Sequence, residues 1–162
     1  MILLIKYTSR LIYSFKRKLL SLNRIYYSML LQSCGSNFKL WGAFYLKNPQ
    51  FIQVGDNVSI NDGVYLNGKG GLKIGNNTTI SAGAMIISTG LCTSSFLVEN
   101  KHIDKEIIIG NNVQIGAGAI ILAGVNIADN VIVGAGSVVT KNIQGNVIVA
   151  GNPAKVLREL IL

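Results

Sequence analysis

Histidine and cysteine are scarce in this 162-residue chain, and each shortage excludes a class of protein. The single histidine, His102, cannot supply the three imidazole ligands of a zinc enzyme of the carbonic anhydrase type. The two cysteines, Cys34 and Cys92, have neither disulfide nor metal-ligand spacing and fit a reducing, cytoplasmic compartment. We therefore expect that the protein requires no metal.

The chain also lacks a long uncharged apolar run. Hydrophobic residues make up 49% of the sequence and charged residues 14%, but no stretch reaches the roughly 18 apolar residues that a transmembrane helix needs. Charges at Lys6 and Arg10 interrupt the apolar start, and no small-residue cleavage site follows. We expect neither a membrane-spanning helix nor a secretory signal.

Acidic residues are missing from a leading segment, residues 1–41. This segment carries seven basic residues and no acid, whereas residues 42–162 carry eight basic and seven acidic residues, giving the net charge of +8. Its apolar residues recur at helical spacings, and Arg10, Arg17 and Arg24 follow a second line. The apolar stripe consists of Leu4, Leu11, Phe15, Leu19, Leu22, Tyr26 and Met29.

Two interpretations of this basic amphipathic segment stay open. It caps the end of the main domain, or it rests on an anionic membrane, at the inner face of which the protein would then lie. No nucleic-acid-binding module follows the segment, so we expect no nucleic-acid partner.

Residues 107–143, "IIIGNNVQIGAGAIILAGVNIADNVIVGAGSVVTKNI", repeat an aliphatic residue every sixth position. Two shorter runs with the same spacing precede them. The repeated positions are Val54, Ile60 and Leu66, then Ile74, Ile80 and Ile86, then Ile109, Ile115, Ile121, Ile127, Val133 and Val139. A small or β-branched residue follows most of them four positions later, and "GDN", "GNN" and "ADN" segments supply turn residues. The pattern predicts a parallel β-solenoid whose ends need covers.

The repeat and the closing stretch "IVGAGSVVTKNIQGNVIVAGNPAKVLRE" resemble the hexapeptide-repeat acetyltransferases, in particular those that O-acetylate galactosides, maltose and capsule sugars. The resemblance covers about residues 48–158. It implies an all-β fold, a left-handed parallel β-helix over residues 42–162 that ends in a short C-terminal helix or tail. It also implies a homotrimer that binds acetyl-CoA in the groove between neighbouring subunits and acetylates a sugar hydroxyl or amine.

The period breaks between Ile86 and Ile109, which predicts an extruded loop at about 88–106. The resembling enzymes carry their catalytic histidine near the start of this loop, where this chain has Gly90 or Leu91. His102, late in the loop, is the only imidazole that can act as the general base at neutral pH, and its alternative is a solvated loop histidine. Asp104, Glu99 or Glu106 would orient its ring.

The remaining site residues come from the resemblance. Ala117 and Ala135 fall where the pantetheine arm lies, Thr140 and Lys141 where the family contacts the cofactor, and Lys155 and Arg158 where it faces the nucleotide phosphates. The alternative, purely structural roles are packing within turns for the two alanines and a solvated helix face for Lys155 and Arg158.

The acceptor is less well specified. Asn61 matches an asparagine that contacts the acceptor, although a turn asparagine is an equal alternative, and "NGKGG" replaces the acid expected near residue 68. The resemblance thus implies O-acetylation of a sugar in a surface polysaccharide or its precursor. The alternatives are N-acetylation of a nucleotide-linked amino sugar and a catalytically inactive trimeric scaffold or sugar binder.

Overall fold

The computed structural model describes residues 2–94 and 101–161, with the side chains of all of these except residues 2–9, 16–18 and 21. One long helix precedes nineteen short strands. In chain order they are α1 (Ile2–Leu30), β1 (Ser33–Cys34), β2 (Lys39–Leu40), β3 (Tyr45–Lys47), β4 (Ile52–Val54), β5 (Ser59–Ile60), β6 (Tyr65–Asn67), β7 (Leu72–Ile74), β8 (Thr79–Ile80), β9 (Met85–Ile87), β10 (Thr89–Leu91), β11 (His102–Asp104), β12 (Ile107–Ile109), β13 (Gln114–Ile115), β14 (Ile120–Ile121), β15 (Asn126–Ile127), β16 (Val131–Val133), β17 (Val138–Val139), β18 (Val147–Ala150) and β19 (Lys155–Glu159).

The strands form a rod whose three faces are β-sheets, in which all strands but β19 run parallel to their neighbours. Sheet 1 has the order β1-β4-β7-β12-β15, sheet 2 the order β19-β18-β16-β13-β8-β5-β2, and sheet 3 the order β17-β14-β9-β6-β3. From β1 to β17, apart from the separate β10–β11 hairpin, successive strands belong to sheets 1, 2 and 3 in turn. The chain therefore winds around an axis and each coil contacts only its neighbours. The prediction of an all-β parallel β-helix is confirmed.

The core is a column of aliphatic side chains along the axis. All twelve positions of the six-residue repeat are buried, with at most 4% of any of these residues exposed. Each strand that carries one of these residues points it inward and the adjacent residues outward, because successive side chains on a strand alternate between its two faces. The short repeat therefore builds a continuous core without long strands.

A ladder of asparagines turns the chain from sheet 1 to sheet 2, and we call this edge the asparagine corner. Its members share a positive φ and donate side-chain hydrogen bonds to one another along the rod: Asn37, Asn57, Asn77, Asn112, Asn130 and Asn146. Asparagine tolerates this left-handed backbone better than most residues do. At the same corner the backbone N–H and the hydroxyl of Ser36 lower the pKa of Asp56.

The rod begins earlier than the boundary placed at residue 41. The helix ends at Leu30, and residues 33–47 already form a first coil. Its inward positions keep the six-residue spacing but hold Cys34, Leu40 and Leu46, with Phe38 and Phe44 buried between them. The sequence pattern misses this coil because Cys34 takes the place of a repeated aliphatic residue, and two phenylalanines take the places of the small or β-branched residues that follow.

The C-terminus differs from the short helix or tail that the resemblance implies. Residues 155–159 form β19, which folds back antiparallel on β18 after a turn at residues 151–154. In that turn Val138 donates a backbone hydrogen bond to Gly151, and Ala154 donates one to Val138. These bonds hold the turn against the last coil, so the segment extends sheet 2 as its final strand and covers β18.

Candidate active site

The loop that breaks the repeat leaves the rod where sheet 3 turns to sheet 1, which we call the loop corner. Strands β10 and β11 form an antiparallel hairpin there. Ser88 fixes its base: the buried hydroxyl donates to the Asn67 carbonyl (2.7 Å) and accepts from the Gly70 N–H (2.9 Å). The Ser88 carbonyl accepts from the Lys105 N–H. These bonds tie the start of the hairpin to the preceding coil and its end to Ser88.

His102 lies directly opposite Leu91 in this hairpin, and Ile103 lies opposite Gly90. A side chain added at Gly90 would meet Ile103 and Ala123, so that face of the hairpin looks toward the rod. His102 and Leu91 share the opposite face, because facing residues of an antiparallel pair point the same way. The imidazole therefore stands, exposed, beside the loop-start position that the family uses for its histidine.

The acids considered as partners of His102 are engaged elsewhere or lie outside the described residues. The Asp104 carboxylate is 3.4 Å from Lys69 Nζ, and the Glu106 carboxylate is 2.9 Å from Lys73 Nζ. Glu99 lies outside the described residues. Both ion pairs join the loop to the coil before it, so Asp104 and Glu106 anchor the hairpin.

Ala117 and Ala135 lie at the third edge of the rod, where sheet 2 turns to sheet 3, which we call the alanine corner. Both residues are exposed, and within residues 2–94 and 101–161 neither backbone N–H donates a hydrogen bond. The glycines that follow them, Gly118 and Gly136, adjoin open space. Ala82 occupies the same position one coil earlier, as Gly118 donates to its carbonyl and Gly136 to that of Ala117. The sequence reasoning missed Ala82, although "SAGA" repeats the "GAGA" signal.

The features of this edge that a thin, polar ligand can use are its small side chains and its unused backbone donors. The alanine side chains leave a smooth surface, and the unused N–H groups are hydrogen-bond donors that an amide-containing ligand such as a pantetheine arm can use. These groups fit the acyl donor that the resemblance implies.

Lys155 and Arg158 lie on the outer face of sheet 2 at the end of the alanine corner. Lys155 pairs with Ala150 and Arg158 with Ile148, both outward-facing residues of β18. Positions three apart on a regular strand face opposite ways, but a register shift between Ile148 and Val149 brings both cations to one face. This face can receive phosphate groups.

The predicted site residues fall into two groups within one chain. His102, Thr140 and Lys141 lie at the loop corner, whereas Asn61, Ala117 and Ala135 lie at the alanine corner, with Lys155 and Arg158 beside it. Asn61 is half-buried and its amide donates to the Ile80 carbonyl (3.0 Å). One subunit alone does not bring its histidine to its own alanine corner.

Comparisons with known proteins agree with this architecture. Residues 106–141 match the family model "bacterial transferase hexapeptide (six repeats)". A maltose O-acetyltransferase from Clostridium difficile 630 is 30% identical, with a TM-score of 0.79 over 84% of this chain and 73% of that one. A hexapeptide-repeat acetyltransferase from Vibrio cholerae O1 biovar eltor, complexed with acetyl-CoA, is 28% identical, with a TM-score of 0.74 over 83% and 74%. A galactoside acetyltransferase in complex with coenzyme A is 30% identical, with a TM-score of 0.61 over 76% and 66%.

Proposed function

Because the chain belongs to the hexapeptide-repeat acetyltransferases, we propose that it transfers the acetyl group of acetyl-CoA to a hydroxyl of a sugar, in a surface polysaccharide or its precursor. The observation that carries this proposal is the position of His102, the only imidazole, exposed beside Leu91 on the outer face of the loop hairpin. Two similar proteins at 30% identity are acetyltransferases of maltose and of galactosides, which supports a sugar acceptor.

His102 acts as the general base in this proposal. Its neutral imidazole takes the hydroxyl proton while the sugar oxygen attacks the thioester carbonyl carbon. A C–O bond forms, the C–S bond breaks, and the imidazolium returns the proton to the departing sulfur. The products are a sugar acetate ester and free coenzyme A, and the step balances without an oxidant or reductant.

The alanine corner binds the acyl donor. The N–H groups of Ala117 and Ala135 are hydrogen-bond donors for the pantetheine amides, and Lys155 and Arg158 attract the nucleotide phosphates. Thr140 and Lys141 contact the donor from the loop corner of a neighbouring subunit. Asn61 lies beside the acceptor, two coils before Ala117.

The site is completed by assembly. His102 and the alanine corner lie on different edges of one rod, so the acetyl group reaches His102 only when the loop corner of one subunit meets the alanine corner of the next. A closed ring of three subunits gives three such sites, because every interface is then the same.

A thioester-consumption assay tests the proposal. The protein is mixed with acetyl-CoA and, separately, simple sugars, sugar nucleotides, amino sugars and polysaccharide, and free thiol is measured. We expect thiol release to depend on a hydroxyl-bearing sugar and its product to carry an alkali-labile ester. An alkali-stable amide product would favour the N-acetyltransferase alternative. Acetyl-CoA that is never consumed, with sugar still bound, would favour the inactive sugar binder.

A further inference from the structure

The N-terminal helix exposes a broad apolar surface that no other residue within 2–94 and 101–161 covers. Along one side of α1, large hydrophobic residues are between 48% and 80% exposed. We call this side the free face; its members are Leu11, Ile12, Phe15, Leu19, Leu22, Ile25, Tyr26 and Met29. It includes every described member of the apolar stripe seen in the sequence, whereas Leu4 is among the residues whose side chains are not described.

The rod holds the helix by a different side. The Tyr27 ring lies 4.5 Å from the Phe44 ring, and Leu31, just beyond the helix end, is buried. At about 100° per residue, positions 27 and 31 fall on one side, away from Leu22 and Met29. The main contacts of α1 are with β1 and β2 of the first coil. The last turn of the helix therefore caps the rod, and the free face takes no part in that contact.

The charges beside the free face are all of one sign. Lys6, Arg10, Arg17 and Arg24 recur at spacings of four and seven, which places these four positions along one flank of the helix. Lys16 and Lys18 fall at other positions around the helix, and the helix has no acid. A second copy of the helix would bring the same charges together with no acid to pair with them. A nucleic acid would match the charge but would leave the apolar side chains in water. An anionic bilayer satisfies both, with headgroup phosphates for the cations and acyl chains for the free face.

We propose that α1 docks the protein on the surface of an anionic phospholipid membrane, lying in the plane of the interface. Its 29 residues form a helix about 43 Å long. Among the residues that the structure describes, no helix combines the length and the apolarity needed to cross a bilayer. The helix thus holds the rod beside the membrane while its last turn keeps the first coil covered. This proposal does not depend on which acceptor the enzyme uses.

Co-sedimentation of the full-length protein with vesicles tests the docking. One set of vesicles contains phosphatidylglycerol and phosphatidylcholine in equal parts, and the other contains phosphatidylcholine alone. We expect binding to the anionic set at low salt, weaker binding as salt is added, and little binding to the neutral set. Failure of the full-length protein to bind the anionic vesicles at low salt would overturn the proposal.

Two pairs of variants separate the contributions of the free face and of charge. Arg10→Gln/Arg24→Gln should weaken binding about 30-fold, whereas Lys39→Gln/Lys47→Gln, which removes the same charge from the first coil, should change it little. Leu11→Ser/Leu22→Ser should weaken binding more than tenfold, whereas Val156→Ser/Leu157→Ser removes two similarly exposed apolar side chains at the far end of the rod and should not.

The substituted side chains are exposed, so all four variants should retain the melting temperature of the parent protein. Equal binding by each variant and its control would refute the role of α1. A large assembly in light scattering, without lipid, that Leu11→Ser/Leu22→Ser dissolves would assign the free face to a second copy of the chain instead.

Discussion

His102 is the residue on which the proposed proton transfer depends, and its place on the hairpin makes the proposal testable. The ring is exposed and makes no hydrogen bond with any described residue, so replacing it removes a base without opening the core. We expect His102→Ala to lower turnover by roughly 10²–10⁴-fold with the melting temperature unchanged, measured by thiol release. Lys101→Ala, the exposed neighbour, is the matched control. Turnover like that of the parent in His102→Ala would exclude this residue.

The same hairpin allows a rescue experiment that belongs with this prediction. Leu91 shares the outer face with His102, so Leu91→His in the His102→Ala background returns an imidazole to the same side, one strand away. Part of the lost turnover should return. Gly90→His in that background is the contrasting variant, because position 90 faces the rod. If both variants regained turnover equally, or if neither regained any, the argument that Leu91 and His102 share a face would be contradicted.

At the scale of elements, the asparagine ladder combines a backbone requirement with side-chain bonds. Asn77 has φ 55°, accepts from Asn57 and donates to Asn112. Asn77→Ala keeps neither advantage, and we expect it to lower the free energy of unfolding by about 2 kcal/mol. The left-handed alanine costs about 1 kcal/mol, and each of the two exposed hydrogen bonds contributes about 0.5 kcal/mol.

Glycine at the same position separates the two effects. Asn77→Gly adopts the positive φ freely but makes no ladder bond, so its loss should be smaller than that of Asn77→Ala. Urea unfolding at one fixed protein concentration measures both variants, because an oligomer's apparent stability depends on concentration. An equal loss in the two variants would show that the backbone conformation contributes nothing at this corner.

How well the sequence predicts an element depends on whether the element repeats. The six-residue period identifies the inward positions from Val54 to Val139, because each coil solves the same packing problem with the same residue types. Strand β19 has no such signal. Its position is set by a single turn and a register shift, and neither recurs elsewhere in the chain.

The candidate site shows the same limit. Ala117 and Ala135 lie in matching "GAG" segments that can be recognised in the sequence. The pairing of His102 with Leu91, in contrast, depends on the register of one hairpin. That register comes from contacts between residues distant in sequence, such as the bonds between Ser88, Gly70 and Lys105. A pattern of spacings predicts that a loop leaves the rod but not which of its residues face each other.

At the scale of the whole molecule, the separation of His102 from Ala117 is the basis of our proposal that catalysis depends on assembly. If each site forms between subunits, activity should disappear when the oligomer dissociates. Light scattering and thiol release, measured across a dilution series, should show a trimer and a parallel loss of both signals. A monomer that remains active would contradict the shared site.

Complementation between two inactive variants tests the same idea without dissociating the protein. His102→Ala lacks the base but keeps the alanine corner, and Ala117→Trp fills that corner with a ring but keeps the base. When the two are co-expressed and assemble at random, about a quarter of the interfaces join an intact histidine to an intact corner, so about a quarter of parental turnover should return. If base and corner belonged to a single chain's own site, every site in the mixture would be defective. The mixture would then stay as inactive as its components, although its size in light scattering would be unchanged.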